Sequence, residues 1–352
     1  MRRLGGAAVA GLAALAIGPG AATLLSAQAY ELGQSSQIVP SERLRIFAYG
    51  RALGQGAATA AQTDQLRQDM MAQGFYHDAP VPAVVFASLT VQPTLGYDPN
   101  INGGYQQTGF SLGGLYFEAT PESLARGGVA LGFDADASYR LAWDNGRFLS
   151  LDVFASAVHV PQLGEGTQNA GLALCSRNHL AGWSFADLCH SRSYAWFGGG
   201  HSEATTTELA LTGLYDASTS YHEMKVVVGT RDDRQIYAGL AAVSVWPDVV
   251  TQAAITLSAP VPEALAPRVR LSGELRWSDD GRLTALGIWH EMADGTDFLG
   301  VARQDATLGL SLSHELTPAM TVMLQAVHND SSITLFNTNE LSANVIIDLR
   351  KR

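Results

Sequence analysis

The chain is poor in lysine, poor in cysteine and, past its first residues, without any long apolar run. Lys225 and Lys351 are its only lysines, and 33 acidic residues outnumber 22 basic ones for a formal net charge of -11. A nucleic-acid partner needs a basic face to neutralise phosphates, and no such face is visible. Cys175 and Cys189 are the only cysteines. They read as one local disulfide in an exported protein. A zinc site built from Cys175, His179, Cys189 and His190 is the competing reading. It is disfavoured because His190 directly follows Cys189, an awkward geometry for two ligands converging on one metal. No cofactor or metal is therefore expected.

Beyond residue 29 no stretch of 18 uncharged apolar residues occurs, which excludes a membrane-spanning helix. Yet 47% of the chain is hydrophobic and only 16% is charged. A β-barrel reconciles the two facts, because each strand shows lipid only half of its side chains. The opening residues look like an export signal. Arg2 and Arg3 precede an uncharged stretch from Leu4 to Leu25, and Ala27-Gln28-Ala29 supplies the small residues of a cleavage site.

The clearest pattern in the chain runs from Val129 to Trp143. Its odd positions are Val129, Leu131, Phe133, Ala135, Ala137, Tyr139, Leu141 and Trp143. Asp134, Asp136, Ser138 and Arg140 lie on the even positions between them. Successive strand side chains point to opposite faces, so one face is apolar and the other charged. The segment is long enough to cross a bilayer, which takes about 9–11 tilted strand residues. The same period returns in Leu89 to Tyr97, Leu149 to Ala157, Val269 to Trp277, Leu308 to Leu312 and Leu341 to Leu349. Leu283 to Trp289 is apolar on both faces and fits less well.

Turn chemistry separates these segments at Asp144-Asn145-Gly146, Arg231-Asp232-Asp233, Trp246-Pro247-Asp248, Ser278 to Gly281 and Thr317-Pro318. The expected fold is all-β, an antiparallel transmembrane barrel of about 14 strands, provided Arg192 to Phe197 forms one of them. Residues 1–29 are read as the signal, 30–83 as a short periplasmic or plug segment and 84–352 as the barrel. On that count Pro161 to His190 is a cysteine-containing insert facing the periplasm. In the lead-in, Ser41-Glu42 opens a helix with Leu44, Phe47, Ala48 and Arg51 at helical spacing. Thr59 to Gln73 forms a second, with Gly74 placed to end it. The two helices suit either a periplasmic hairpin or a lumen plug.

Three segments carry a family resemblance: Pro93 to Gly104, Tyr194-Ala195-Trp196-Phe197-Gly198-Gly199, and Asn329-Asp330-Ser331 through Phe336. By their order and spacing, residues 84–352 resemble the C-terminal barrel of the surface lipoprotein assembly modifier family. The resemblance implies an outer-membrane protein of a Gram-negative bacterium that helps move lipoproteins to the outer leaflet. It makes Trp196, Phe197, Gly198, Gly199, Asn329, Asp330, Ser331 and Phe336 the candidate binding residues, with outer-membrane lipid and a surface lipoprotein as partners. Residues 30–83 cannot hold the helical-repeat array of that family, since one such repeat takes about 34 residues. A passive pore or structural barrel is thus the alternative. For each motif a structural role stands beside the functional one. Trp196 and Phe197 serve equally as girdle aromatics.

Catalytic signals are weak. Gly109-Phe110-Ser111-Leu112-Gly113 matches a hydrolase elbow, but that chemistry needs a strand–turn–helix context and this Ser lies in a strand. His328 and Ser331 with Glu340 suggest an acyl hydrolase only if they share a face. The expected answer is no enzyme.

Overall fold

A computed structural model describes residues 35–112, 115–197, 200–298 and 300–348. The proposed signal at 1–29, Gly198, Gly199 and the last four residues lie outside them. Among the described residues no helix is long and apolar enough to cross a membrane.

Fourteen strands close into one antiparallel barrel. The first is β1 (Ala83–Asp98), followed after a small side hairpin by β4 (Gly128–Asp144), β5 (Arg147–Val160), β6 (Glu165–Ala181) and β7 (Ser184–Phe197). Next come β8 (Gly200–Ala217), β9 (Ser220–Arg231), β10 (Gln235–Val245), β11 (Val249–Ser258) and β12 (Ala266–Asp279). The wall ends with β13 (Arg282–Phe298), β14 (Val301–Thr317), β15 (Met320–Ser331) and β16 (Thr338–Ile347). The side hairpin, β2 (Gly109–Leu112) with β3 (Leu115–Glu118), pairs only with itself. Strand β16 pairs with β1 and closes the ring, which satisfies the backbone groups that an open sheet edge would expose to lipid.

The period-2 pattern sets which face is which. Leu131 and Leu271 are 52% and 43% exposed on the outside, where water would be a poor solvent for them. Tyr139, Trp143, Tyr215 and Trp246 are exposed near one set of turns, forming an interfacial girdle. Both ends of the wall and the tight turns at 145–146, 182–183, 218–219, 280–281 and 318–319 lie at that end. The opposite end carries the longer connections at 99–127, 259–265 and 332–337. Short turns with both termini on one side are the periplasmic build of bacterial outer-membrane barrels. In the β4–β5 turn only glycine suits position 146. Its φ is +66°, and an added Cβ would meet His179 at 2.8 Å.

The segment 161–190 is not an insert. It contains β6 and the first half of β7, and Arg192 to Phe197 lies in the second half. The reason it does not read as wall is chemical. The outward positions of upper β6 and β7 include Gln168, His190 and Arg192, so the apolar signal fades there. Cys175 and Cys189 face each other in register across β6 and β7 and form a disulfide. The zinc reading fails because His190 points away and bonds the Thr207 hydroxyl at 2.9 Å. The chain-entropy model gives this cross-link about 3 kcal/mol for so short a loop, in a wall already held by its ladder. Cys175→Ser should therefore still give a heat-modifiable barrel, with a lowered unfolding temperature. Loss of assembly would contradict that expectation.

Candidate functional site

The lumen is filled at the periplasmic end by the residues before β1. Both expected helices are present, α1 (Glu42–Gly54) and α2 (Ala60–Ala72). Ser41 caps α1 by accepting from the Leu44 N–H at 3.2 Å. Thr59 and Gln62 close a reciprocal capping box on α2. The pair is a plug rather than a free hairpin, because α1 is buried on two faces at once. Leu44, Phe47 and Ala48 pack on Phe185, Leu214, Tyr221, Val243 and Val245 of the wall. Ile46 and Tyr49 pack on Leu66 of α2. Phe47 meets Trp183 and Tyr221 edge to face, with centroids 4.9 and 5.6 Å apart.

Ion pairs latch this plug to two sides of the ring. Arg43 donates two parallel hydrogen bonds to Asp187 of β7, at 2.7 and 2.8 Å. Arg140 of β4 holds Glu42 in the same forked way, at 2.6 and 3.0 Å. The Ser41 hydroxyl donates to Glu223 of β9. Arg45 binds Asp69 and so ties α1 to α2. The Arg43–Asp187 pair is buried and the Arg140–Glu42 pair partly so, where a charge without a partner is costly.

Burial disfavours the Glu42 carboxylate, but the Arg140 guanidinium and the Gln73 amide outweigh it and hold its pKa below the usual value. A depressed acid stabilises the docked plug above its free pKa of 4.5 and loses that contribution as pH falls through the lowered value. Plug docking should thus weaken on acidification below pH 4.5. Protease accessibility of the 55–59 link against pH checks this, and greater protection in acid would contradict it.

Above the plug the inner face is polar. Asp134, Asp136 and Asp152 stand on β4 and β5, and among the described residues none forms an ion pair, although Ser138 donates to Asp152 at 2.6 Å. Half the ring away, β12 carries Arg268, Arg270 and Arg276. There each arginine is neutralised, by Asp294, Glu291 and Glu274 respectively. On these two sides of the lumen, then, the carboxylates of β4 and β5 stand without an ion pair while the arginines of β12 are matched.

The motif residues lie at the far rim. Trp196 points outward, stacks on Tyr194 at 5.7 Å and is 43% exposed, a girdle position. Asn329 donates to the Phe336 carbonyl and accepts from Thr307, while Asn337 accepts from the Ser331 N–H. Asp330 is the outward neighbour of these two, paired in register with Ala306. Phe336 lies 3.4 Å from the Arg303 guanidinium and 6.0 Å from the Tyr105 ring. The 329–337 segment is thus a self-bonded turn. Trp196 and Asn329 belong to strands well apart on the ring. The connection 99–127 bridges the two regions, with Gly103 next to Phe197 and Tyr105 against Phe336. His328 and Ser331 fall on opposite faces of β15, and His328 bonds Asn339 instead, so they make no catalytic pair. Sequence reasoning missed the latch arginine Arg43 and the lumen ring Phe154. The second shares the polar face of β5 with Phe148, Ser150 and Asp152.

The fold and lumen together define a transmembrane β-barrel of the outer-membrane type. No family model and no curated protein matches the chain. Among solved structures it is similar to the outer membrane protein Omp33 of Acinetobacter baumannii, at 11% identity and a TM-score of 0.39, covering 74% of this chain and 97% of that one. A porin of Rhodopseudomonas blastica gives 7% identity and a TM-score of 0.38, over 75% and 100%. OccAB4 of Acinetobacter baumannii gives 7% and 0.35, over 74% and 96%. Likenesses this distant carry no argument. The barrel rests on its own closed ladder.

Proposed function

We propose that this chain is a cation-favouring pore of the outer membrane, closed at its periplasmic mouth by its own N-terminal helices. The observation that carries this reading is the lumen wall formed by Asp134, Asp136 and Asp152. Carboxylates without basic partners are tolerated where water solvates them, so a dry structural barrel would not be lined this way. A negative lumen concentrates cations and repels anions. The girdle and apolar outer face supply the contact with lipid. In planar bilayers across a KCl gradient, the reversal potential should show potassium preferred over chloride. Chloride preference would overturn the reading. Aid to lipoprotein display, which the three-segment resemblance implies, rests on those segments alone.

A further inference from the structure

Above the plug, where β1, β4, β5, β6 and β7 meet, the inner wall is hollowed into a recess of about 350 Å³. Small residues on β6 make the hollow: Gly171 stands opposite Phe154 in register, and Ala173 opposite Asp152. A Cβ on Gly171 would lie 2.4 Å from the Phe154 ring, so the glycine lets that ring lie against the wall. The ring is still 42% exposed, an apolar face left bare inside a polar lumen. Asp136 is its registered neighbour on β4. The lining also includes Asp152, the hydroxyls of Thr90, Ser138 and Ser191, and Arg192, whose guanidinium is paired with Glu203.

These groups have a common chemistry. An open aromatic face attracts a cation that is only weakly hydrated. A carboxylate without a basic partner supplies the counter-charge. Hydroxyls accept or donate to a polar arm, and a pocket that is mostly apolar with a few placed polar groups is the usual small-molecule site. We propose that the recess binds a small organic cation with an ammonium head and a hydroxylated arm, the head held between the Phe154 ring and the Asp136 carboxylate. The proposal rests on the pore reading in one respect, that such a solute reaches the lumen from outside.

The test uses the full-length barrel in detergent, with choline as the probe and 3,3-dimethylbutan-1-ol as its uncharged counterpart of the same shape. Ligand-observed NMR titration should show choline bound at least tenfold more tightly than the alcohol. Phe154→Leu, which keeps every charge, should weaken choline by about tenfold, the scale of one desolvated cation–aromatic contact. Asp136→Asn should weaken it at least as much. Heat-modifiable migration of both variants shows that they remain folded. Equal binding of choline and the alcohol, or full binding by Phe154→Leu, overturns the inference. Current in KCl, measured on the barrel with its plug unlatched by Asp187→Ala, separates the two ideas. An unlatched barrel that conducts while the parent ignores choline leaves the pore standing without this site, and a choline-binding barrel that passes no current even when unlatched does the reverse.

Discussion

Leu271→Arg is expected to abolish accumulation of the barrel in the membrane, and Leu131→Arg to reduce it less. Leu271 leaves the outer face near the middle of β12, whereas Leu131 is close to the rim end of β4, and both are about half exposed there. A guanidinium costs about 2–4 kcal/mol at the depth of Leu271 and about 0–1 kcal/mol near the interface. With tenfold per 1.4 kcal/mol, the cost at Leu271 is roughly a 30- to 1,000-fold shift against the assembled state. Asp136→Arg adds the same charge on the lumen side, where it stays hydrated, and should assemble normally. The readout is the heat-modifiable fraction in membranes. Equal assembly of all three variants would show that the faces are exchanged.

The second large effect concerns the latch. Asp187 lies between Arg43, at 2.7 Å, and Arg177, at 3.8 Å. Asp187→Ala leaves the buried Arg43 guanidinium, with the partly exposed Arg177 beside it, without their shared counter-charge. Breaking a buried pair from one side typically costs about 3–5 kcal/mol. The wall keeps its backbone ladder, so the loss falls on plug docking. Ala52 is 1% exposed on α1 and serves as a reporter. A cysteine placed there should be protected from maleimide in the parent chain and labelled readily once Asp187 is gone. The further change Arg43→Ala should restore part of the protection, since it removes one of the stranded charges. Unchanged labelling in Asp187→Ala would mean that apolar packing alone seats the plug.

Local patterns gave away most of the wall and both helices. From Val129 to Trp143 every second residue announces lipid, and Ser41 and Thr59 announce helix starts. Strands β6 and β7 were less legible because hydropathy alternates only where lipid lies outside. Their upper outward positions, among them His190 and Arg192, make polar contacts with Thr207 and Glu203 instead. The two helices were legible, but their sequence left plug and periplasmic hairpin open. Arg43 and Asp187 are separated by 144 residues, and Glu42 and Arg140 by 98, so only closure of the ring brings them together. The stripe Leu44, Phe47 and Ala48 foretold one buried face. Ile46 and Tyr49 show the other, since a helix packed between wall and partner has no solvent side to mark it. Trp196 and Asn329, from two of the segments that carry the family resemblance, belong to strands well apart on the ring.

The central claim is that the lumen is a conduction path and the helix pair is its stopper. Single-channel current in planar bilayers, compared between the parent chain and Asp187→Ala, tests it most directly. The account predicts a parent that is mostly silent and a variant that conducts far more of the time, with cations preferred in both. Identical current in the two, or a variant that labels freely at position 52 yet stays silent, would contradict it.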